Sequence, residues 1–162
     1  MTRPRLPKRI LVPVDFSPPS ENALDYAIEL ARTASAEVIV LHAYPVVLLG
    51  YLDVAWGTVD IMGSILNAAN ESMQRLIDAR KGKGVAILSL VQQNDPWHAI
   101  LAAAEENKCD LIVMSTHGRQ GIAHALIGSV AEKVIRTAPC PVLTIRPPES
   151  REHKGREAPQ SV

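Results

Sequence analysis

The sequence predicts an α/β fold: a single domain with an open, parallel, five-stranded sheet and helices on both faces. From Arg9 to Arg146, short apolar runs alternate with segments of helical periodicity, in the order β-α-β-α-β-α-β-α-β. The apolar runs are continuously hydrophobic, which is typical of strands that helices cover on both faces. With 162 residues, 47% of them hydrophobic, the chain is long enough for one domain with a sizeable core.

The first strand is predicted over Ile10–Val14, with Pro13 near its exit because proline cannot donate to a ladder. Either Ser17 or Ser20 can cap the helix that follows. Its inward stripe consists of Ala23, Leu24, Ala27, Ile28 and Ala31. Val38–Ala43 is predicted to be the second strand.

The segment from Tyr44 to Gly63 has no clear periodicity and combines three glycines with aromatic side chains. It is interpreted as an irregular, partly apolar excursion. It is either a lid or partner-contact surface, or a loop packed on the core. An amphipathic helix is predicted from Ile65 to Ile77, ended by Gly82 and Gly84.

The rest of the domain follows the same alternation. Asp95 is predicted to cap a helix with Pro96 at its first position, and a further helix spans about Val130–Thr137. The remaining strands are predicted over Val85–Val91, Asp110–Ser115 and Pro141–Ile145. We expect a flexible N-terminus over residues 1–8, one domain over 9–146, and a disordered tail over 147–162, which is polar and without periodicity.

Composition excludes several function classes. The 17 basic residues balance the 17 acidic ones, so no general attraction to nucleic acid or anionic membranes is expected. No apolar run is long enough to span a membrane, and no signal sequence is evident, so a cytoplasmic location is expected. Cys109 and Cys140 are interpreted as core residues. The five histidines show no zinc-type spacing with the cysteines, and no metal site is predicted.

The loop after the fourth strand is the strongest candidate site. Gly118 and Gly121 let backbone approach a ligand, and Ser129 stands where a helix begins. Free amides and the macrodipole at a helix start suit phosphates, with Arg119 as an additional contact. No P-loop lysine follows Gly128. In the alternative interpretation, Ser129 and Glu132 form a capping box and the glycines only shape a turn.

Two other residues have a binding and a structural interpretation. Asp15 either contacts the ligand at the exit of the first strand, close to the fourth-strand loop, or forms an Asx turn before a helix. His117 is either a positioning residue or a histidine satisfied by its surroundings, because no nucleophile or second base is evident beside it.

Four blocks resemble the universal stress protein family: Ile10–Ser17, Val38–Ala43, Asp110–Ser129 and Cys140–Leu143. The resemblance runs from about Arg9 to Arg146. Nucleotide-binding members of the family carry the pattern G-x-x-G, nine residues, then G-[ST]. Gly118, Gly128 and Ser129 match its last three fixed positions, whereas Ser115 stands in place of the first glycine.

The resemblance implies a Rossmann-like sheet of the adenine nucleotide alpha hydrolase type, with strand order 3-2-1-4-5. It implies that ATP, AMP or ADP binds where strands 1 and 4 part, with Mg²⁺ as a possible companion of the phosphates. Pro13, Val14 and Asp15 are expected to line the adenine and ribose, with Ala43 and Met114 near the adenine. The remaining site residues, expected around the ribose and phosphates or in the loop that leads to them, are Ser115, His117, Gly118, Arg119, Gly128, Ser129 and Val130.

Three functions follow as hypotheses. The first is a cytoplasmic stress-response protein that senses or regulates through a bound adenine nucleotide. The second is a nucleotide-independent interaction module of the same fold, favoured by Ser115. The third is a slow ATP hydrolase, disfavoured by the missing P-loop lysine and the lack of an obvious base. A homodimer is expected through the apolar edge strand Val142–Ile145, as in other family members.

Overall fold

The computed structural model describes residues 6–45, 58–116 and 127–146. Strands and helices alternate along the chain, as the sequence predicts. The strands are β1 (Arg9–Pro13), β2 (Glu37–Tyr44), β3 (Ile87–Gln93), β4 (Leu111–Ser115) and β5 (Val142–Ile145). The helices are α1 (Pro18–Ala34), α2 (Thr58–Asp78), α3 (Pro96–Glu106) and α4 (Ser129–Thr137).

The five strands form one parallel sheet in the order β3-β2-β1-β4-β5, which confirms the predicted fold class and strand order. From β1 the chain adds β2 and β3 on one side of the sheet and then β4 and β5 on the other, so the direction of the connections reverses between β1 and β4. β1 pairs with β2 along its whole length, but with β4 only at Ile10–Leu111 and Leu11–Ile112. Beyond these two pairs β1 and β4 are no longer paired, so the sheet opens at its carboxyl edge.

A hydrophobic core lies on each face of the sheet. On one face, Ile10 and Val40 pack with α1 and α2 residues such as Leu24 and Met73. On the other face, side chains of β1, β2 and β4 pack against α3 and α4. The buried residues there are Leu11, Ile39, Leu41, Ile112 and Met114 from the strands, Ala99, Ile100 and Ala103 from α3, and Ala131 and Val134 from α4. This burial on both faces is the physical reason for the continuous apolar runs in the sequence.

The predicted helix starts are confirmed for α1 and α3. Ser17 is the N-cap of α1, and its side chain accepts a hydrogen bond from the Ser20 amide. Asp95 caps α3 in the same way, and Pro96 occupies the first helical turn. Pro13 is the last residue of β1, where its missing N–H costs no ladder hydrogen bond.

The start of α4 differs from the capping-box interpretation, which is wrong. Gly128 is the N-cap, and Ser129 is already the first helical residue. The Glu132 amide donates to the Gly128 carbonyl at 2.9 Å. A capping box needs its serine one position earlier relative to the helix, outside the helical backbone. The Glu132 side chain pairs instead with Arg136, at 3.1 Å.

α2 begins earlier than the sequence predicts, at Thr58 rather than near Ile65. Gly63 lies inside this helix, and a Cβ placed there would meet nothing within 4 Å. Glycine lowers helix propensity by only about 1 kcal/mol, so the neighbouring turns carry the helix through it. β3 is also displaced toward the C-terminus. It includes Gln92 and Gln93 because both pair with β2, although neither is apolar.

Some predictions fall outside the described residues: those for His117, Gly118 and Arg119, for most of the Tyr44–Gly63 excursion, and for the two termini. In the part of the chain that the structure describes, no helix is both long and apolar enough to cross a membrane.

Candidate functional site

A cavity of about 350 Å³ lies at the carboxyl edge of the sheet, where β1 and β4 part. Its walls come from the ends of β1, β2 and β4, from the first two turns of α3, and from the start of α4. The volume is at the lower end of the range of small-molecule sites, about 300–1,000 Å³. In open α/β sheets this is the position at which ligands bind.

The cavity has an apolar and a polar part. Aliphatic side chains from the sheet and from α3, among them Leu41, Ile100 and Met114, form the apolar wall. Asp15, Ser20, Ser115, Thr116 and Ser129 supply the polar groups. An occupant with a flat apolar body and a polar or anionic end matches this division.

The turn after β1 is held by hydrogen bonds that place Asp15 at the cavity. The Asp15 carboxylate accepts from the Ser17 amide at 3.1 Å and from the Ser17 hydroxyl. The Asp15 amide in turn donates to the Ser20 hydroxyl at 3.3 Å. The Asx turn proposed from the sequence is therefore present, and Asp15 also lines the cavity. The structural and the binding interpretation of Asp15 are compatible.

Phe16, at the centre of this turn, has a left-handed backbone with φ of 61°. Such a conformation costs a bulky non-glycine residue roughly 1–3 kcal/mol and persists where its surroundings enforce it. The ring of Phe16 packs against the imidazole of His42, with ring centroids 4.3 Å apart. The strain therefore lies in the turn that carries Asp15, and strain of this kind is typical of functional sites.

The opposite wall of the cavity is the start of α4. The Gly128 amide donates to the Thr116 carbonyl at 2.9 Å, and a Cβ on Gly128 would lie 3.3 Å from that oxygen. The φ of Gly128 is −61°, which any residue can adopt. Glycine is therefore favoured here because the Thr116 oxygen lies so close to its Cα, and not because the backbone is left-handed. Ser129 and Val130 follow at the cavity wall, where the positive end of the helix dipole favours an anion.

All of the sequence-predicted site residues that the structure describes line this one cavity. They are Pro13, Val14, Asp15, Ala43, Met114, Ser115, Gly128, Ser129 and Val130. The positions of His117, Gly118 and Arg119 are outside the described residues. Sequence reasoning missed Leu41, Thr116 and four residues from the helices, Ser20, Pro96, Ile100 and Ala131. Ser20 was identified only as a possible cap, and the others carry no polar motif apart from Thr116, which adjoins Ser115.

Ionisable groups are sparse in the described part of the cavity wall, where Asp15 is the one charged side chain. Among the described residues, no three His, Cys, Asp or Glu side chains are grouped to hold a metal ion. The two cysteines pack at the core of the α3–α4 face, away from the cavity lining. Burial raises the pKa of the Cys109 thiol to about 11, so this thiol stays protonated at neutral pH.

Comparison with known proteins agrees with this geometry. The family model described as universal stress protein family matches residues 7–146, which is most of the chain. This chain belongs to the universal stress protein family. The universal stress protein MJ0531 of Methanocaldococcus jannaschii is 34% identical over 143 residues, which cover 88% of this chain and 84% of that protein.

Solved universal stress proteins share the fold. The structure of MJ0577, from the same archaeon, superimposes with a TM-score of 0.77 at 27% identity, covering 90% of this chain and 99% of the other. Two further structures carry a ligand. A universal stress protein in complex with cAMP superimposes with a TM-score of 0.63, at 25% identity and over 86% of this chain and 97% of that one. The universal stress protein from Archaeoglobus fulgidus in complex with dAMP superimposes with a TM-score of 0.61 at 25% identity, covering 86% of this chain and 98% of that one.

Proposed function

We propose that this universal stress protein binds an adenine nucleotide, namely ATP, ADP or AMP, and acts in the cytoplasm as a stress-response nucleotide sensor or regulator. The observation that carries the proposal is the single cavity in which Asp15, the end of β4 and the start of α4 meet. Two members of the family form complexes with adenine mononucleotides, cAMP and dAMP.

The division of the cavity into an apolar and a polar part supports one orientation of the nucleotide. The adenine ring would lie against the apolar wall formed by Ala43, Ile100 and Met114. The ribose would meet Asp15, whose carboxylate is an acceptor for hydroxyl groups. The phosphates would then point toward Ser129 and the amides at the start of α4. We expect His117, Gly118 and Arg119, which precede this helix in the sequence, to contribute to the same part of the site.

A divalent cation, if it accompanies the phosphates, would take few ligands from the described residues. Asp15 is the one carboxylate in the described wall, and Mg²⁺ prefers six oxygen ligands. Phosphate oxygens and water would therefore supply most of its coordination. We expect Mg²⁺ to have a modest effect on the affinity for AMP and a larger one for ATP.

Calorimetry with ATP, ADP, AMP and cAMP, each with and without Mg²⁺, tests the proposal directly. Mass spectrometry of small molecules that copurify with the protein provides an independent measurement. Adenosine and inorganic triphosphate separate the contributions of the two ends of the ligand. Absence of heat at millimolar concentrations of all four nucleotides, together with no copurified nucleotide, contradicts the proposal.

Ser115 favours a second candidate, an interaction module that does not hold nucleotide. It occupies the position of the first glycine in the family pattern, is 9% exposed, and lines the cavity. Ser115→Gly separates the two candidates: tighter nucleotide binding in the variant shows that the serine limits the site. A phosphate-release assay decides the third hypothesis, slow hydrolysis, and an unmeasurable rate excludes it.

We also propose a homodimer through β5. The strand lies at one edge of the sheet, and its four residues, Val142–Ile145, are all partly exposed. An apolar edge strand with unpaired backbone groups is suited to pairing with a second copy. Light scattering tests this, and a monomeric mass at micromolar concentration contradicts it.

A further inference from the structure

We propose that His42 is a positioning residue for nucleotide binding: it holds the turn that carries Asp15, from the opposite face of the sheet. This inference rests on the proposed function for its effect on affinity, but its structural part is testable without any ligand. His42 is 9% exposed and lies near the end of β2. It does not line the cavity.

The first connection between His42 and the turn is a hydrogen bond. The Nδ1 atom of His42 lies 2.8 Å from the carbonyl oxygen of Val14. A carbonyl oxygen can only accept, so Nδ1 must carry the proton. Val14 is the residue that precedes Asp15, and its amide donates to the Leu41 carbonyl at 2.8 Å. The amide and the carbonyl of Val14 are therefore both hydrogen-bonded to residues of β2.

The second connection is the ring contact. The imidazole of His42 packs on the ring of Phe16 at a centroid distance of 4.3 Å. Phe16 is the residue with the left-handed backbone, so this contact stabilises a conformation that the chain would not adopt by itself. His42 thus contacts the residues before and after Asp15, one through the carbonyl oxygen and the other through the ring.

Position on the sheet explains why the effect must be indirect. Side chains alternate along β2, so Leu41 and Ala43 line the cavity whereas His42 lies on the other face. Loss of His42 would leave the Val14 carbonyl without this donor and Phe16 without its ring partner. The turn could then relax toward an ordinary backbone conformation, which would move the Asp15 carboxylate away from the ribose.

Three variants separate positioning from general stability. His42→Phe keeps an aromatic ring for Phe16 but removes the donor. His42→Asn keeps an N–H donor two bonds from Cβ, where Nδ1 stands in histidine. Val40→Ala is the matched control, because Val40 is fully buried two residues earlier on the same strand and face and does not line the cavity.

Two measurements are made on each full-length variant: the Kd for AMP by calorimetry, and hydrogen exchange of the Ser17 amide without ligand. That amide donates to the Asp15 carboxylate, so its protection reports whether the turn is closed. We expect His42→Phe to weaken binding by roughly five- to tenfold, the effect of one lost hydrogen bond, and to deprotect the Ser17 amide. His42→Asn should keep the part that the hydrogen bond supplies but lose the part that the ring contact with Phe16 supplies, and Val40→Ala should lower the melting temperature while changing neither.

The outcomes distinguish this inference from the proposed function. If neither His42→Phe nor His42→Asn differs from Val40→Ala in the two measurements, the positioning role is wrong even though the protein binds AMP. If the wild-type protein binds no nucleotide, the proposed function fails and the hydrogen exchange of the Ser17 amide alone decides whether His42 holds the turn.

Discussion

The Gly128 amide and the Thr116 carbonyl form a 2.9 Å hydrogen bond that ties the start of α4 to the end of β4. The first residue after β4 and the N-cap residue of α4 are thereby fixed against each other. The same bond sets the position of Ser129, which lines the cavity, relative to β4. It also makes the residue type at position 128 a testable determinant of the site.

Gly128→Ala should destabilise the protein by about 1 kcal/mol, because the new Cβ would lie 3.3 Å from a backbone oxygen that must shift. The displaced helix start should also weaken nucleotide binding. Urea unfolding and calorimetry measure the two effects. Gly63→Ala is the matched control: a Cβ there meets nothing within 4 Å, so we expect a gain of about 0.5–1 kcal/mol and unchanged affinity.

Ser129→Ala should weaken binding of AMP by roughly three- to tenfold, through loss of one hydrogen bond, while changing the free energy of unfolding by less than about 0.5 kcal/mol. The reason is that Gly128, not Ser129, is the N-cap, so the serine hydroxyl is not needed to start the helix. A loss of about 1 kcal/mol in stability with unchanged affinity would instead indicate a capping role.

Arg80→Met should lower the free energy of unfolding at pH 7 by about 2 kcal/mol. The Arg80 guanidinium is 9% exposed and donates to Asp25 at 2.9 and 3.0 Å, to Glu21 at 3.2 Å and to the Leu76 carbonyl at 3.0 Å. This expectation is below the loss of about 3–5 kcal/mol for a fully buried pair, because the Asp25 side chain is 45% exposed.

The Asp25 carboxyl makes the free energy of unfolding depend on pH, and the direction of its pKa shift gives the sign of that dependence. Burial alone would raise its pKa, but the hydrogen bonds and charge of Arg80, with Lys83, hold the pKa below 3.8. Because the folded pKa is the lower one, this stabilisation is complete above the unfolded pKa and is lost as the pH falls through the folded value. Unfolding of wild type and Asp25→Asn at pH 7 and pH 3 should therefore show a difference that shrinks in acid; a constant difference would contradict it.

Cys109 should resist alkylation in the folded protein. With its pKa raised to about 11, against 9.0 for an ordinary thiol, its thiolate fraction at pH 8 is about a hundredfold lower than in the unfolded chain. Iodoacetamide labelling of a Cys140→Ser variant, with and without urea, should show a rate ratio at least this large, because burial also limits access of the reagent to Cys109. Equal rates in the two conditions would show that the thiol is accessible. The same shift predicts that stability decreases as the pH rises from about 9 to 11, because the unfolded state loses its proton first.

Much of the fold was predictable because burial on both faces leaves a direct signal in the sequence. The apolar runs marked every strand, and Asp95 with Pro96 marked a helix start. Two of the three errors, the bounds of β3 and the cap of α4, have a common cause, since they fall where a neighbouring element decides the outcome. Gln92 and Gln93 belong to β3 only because β2 pairs with them. Gly128, and not Ser129, is the N-cap of α4, and the Gly128 amide donates a hydrogen bond to the Thr116 carbonyl.

The site was predictable to the extent that it follows from a motif or a strand end. Asp15 and Ser129 could be predicted in this way, whereas Ile100 could not, because its side chain resembles that of any core residue. Nor could the sequence show that Phe16 has a left-handed backbone, since aromatic residues rarely do. That conformation depends on contacts between β2 and the turn, which are distant along the chain.

The short pairing between β1 and β4 has a mechanical consequence. With only Ile10–Leu111 and Leu11–Ile112 joining them, the sheet consists of two ribbons, β3-β2-β1 and β4-β5, that share a two-pair seam at one end. A molecule bound between Asp15 and Ser129 would bridge the two ribbons at the open end, where β1 and β4 form no residue pairs. The ligand would then be part of the framework as well as a signal, and after its departure the seam and the helices packed on both faces would hold the ribbons together.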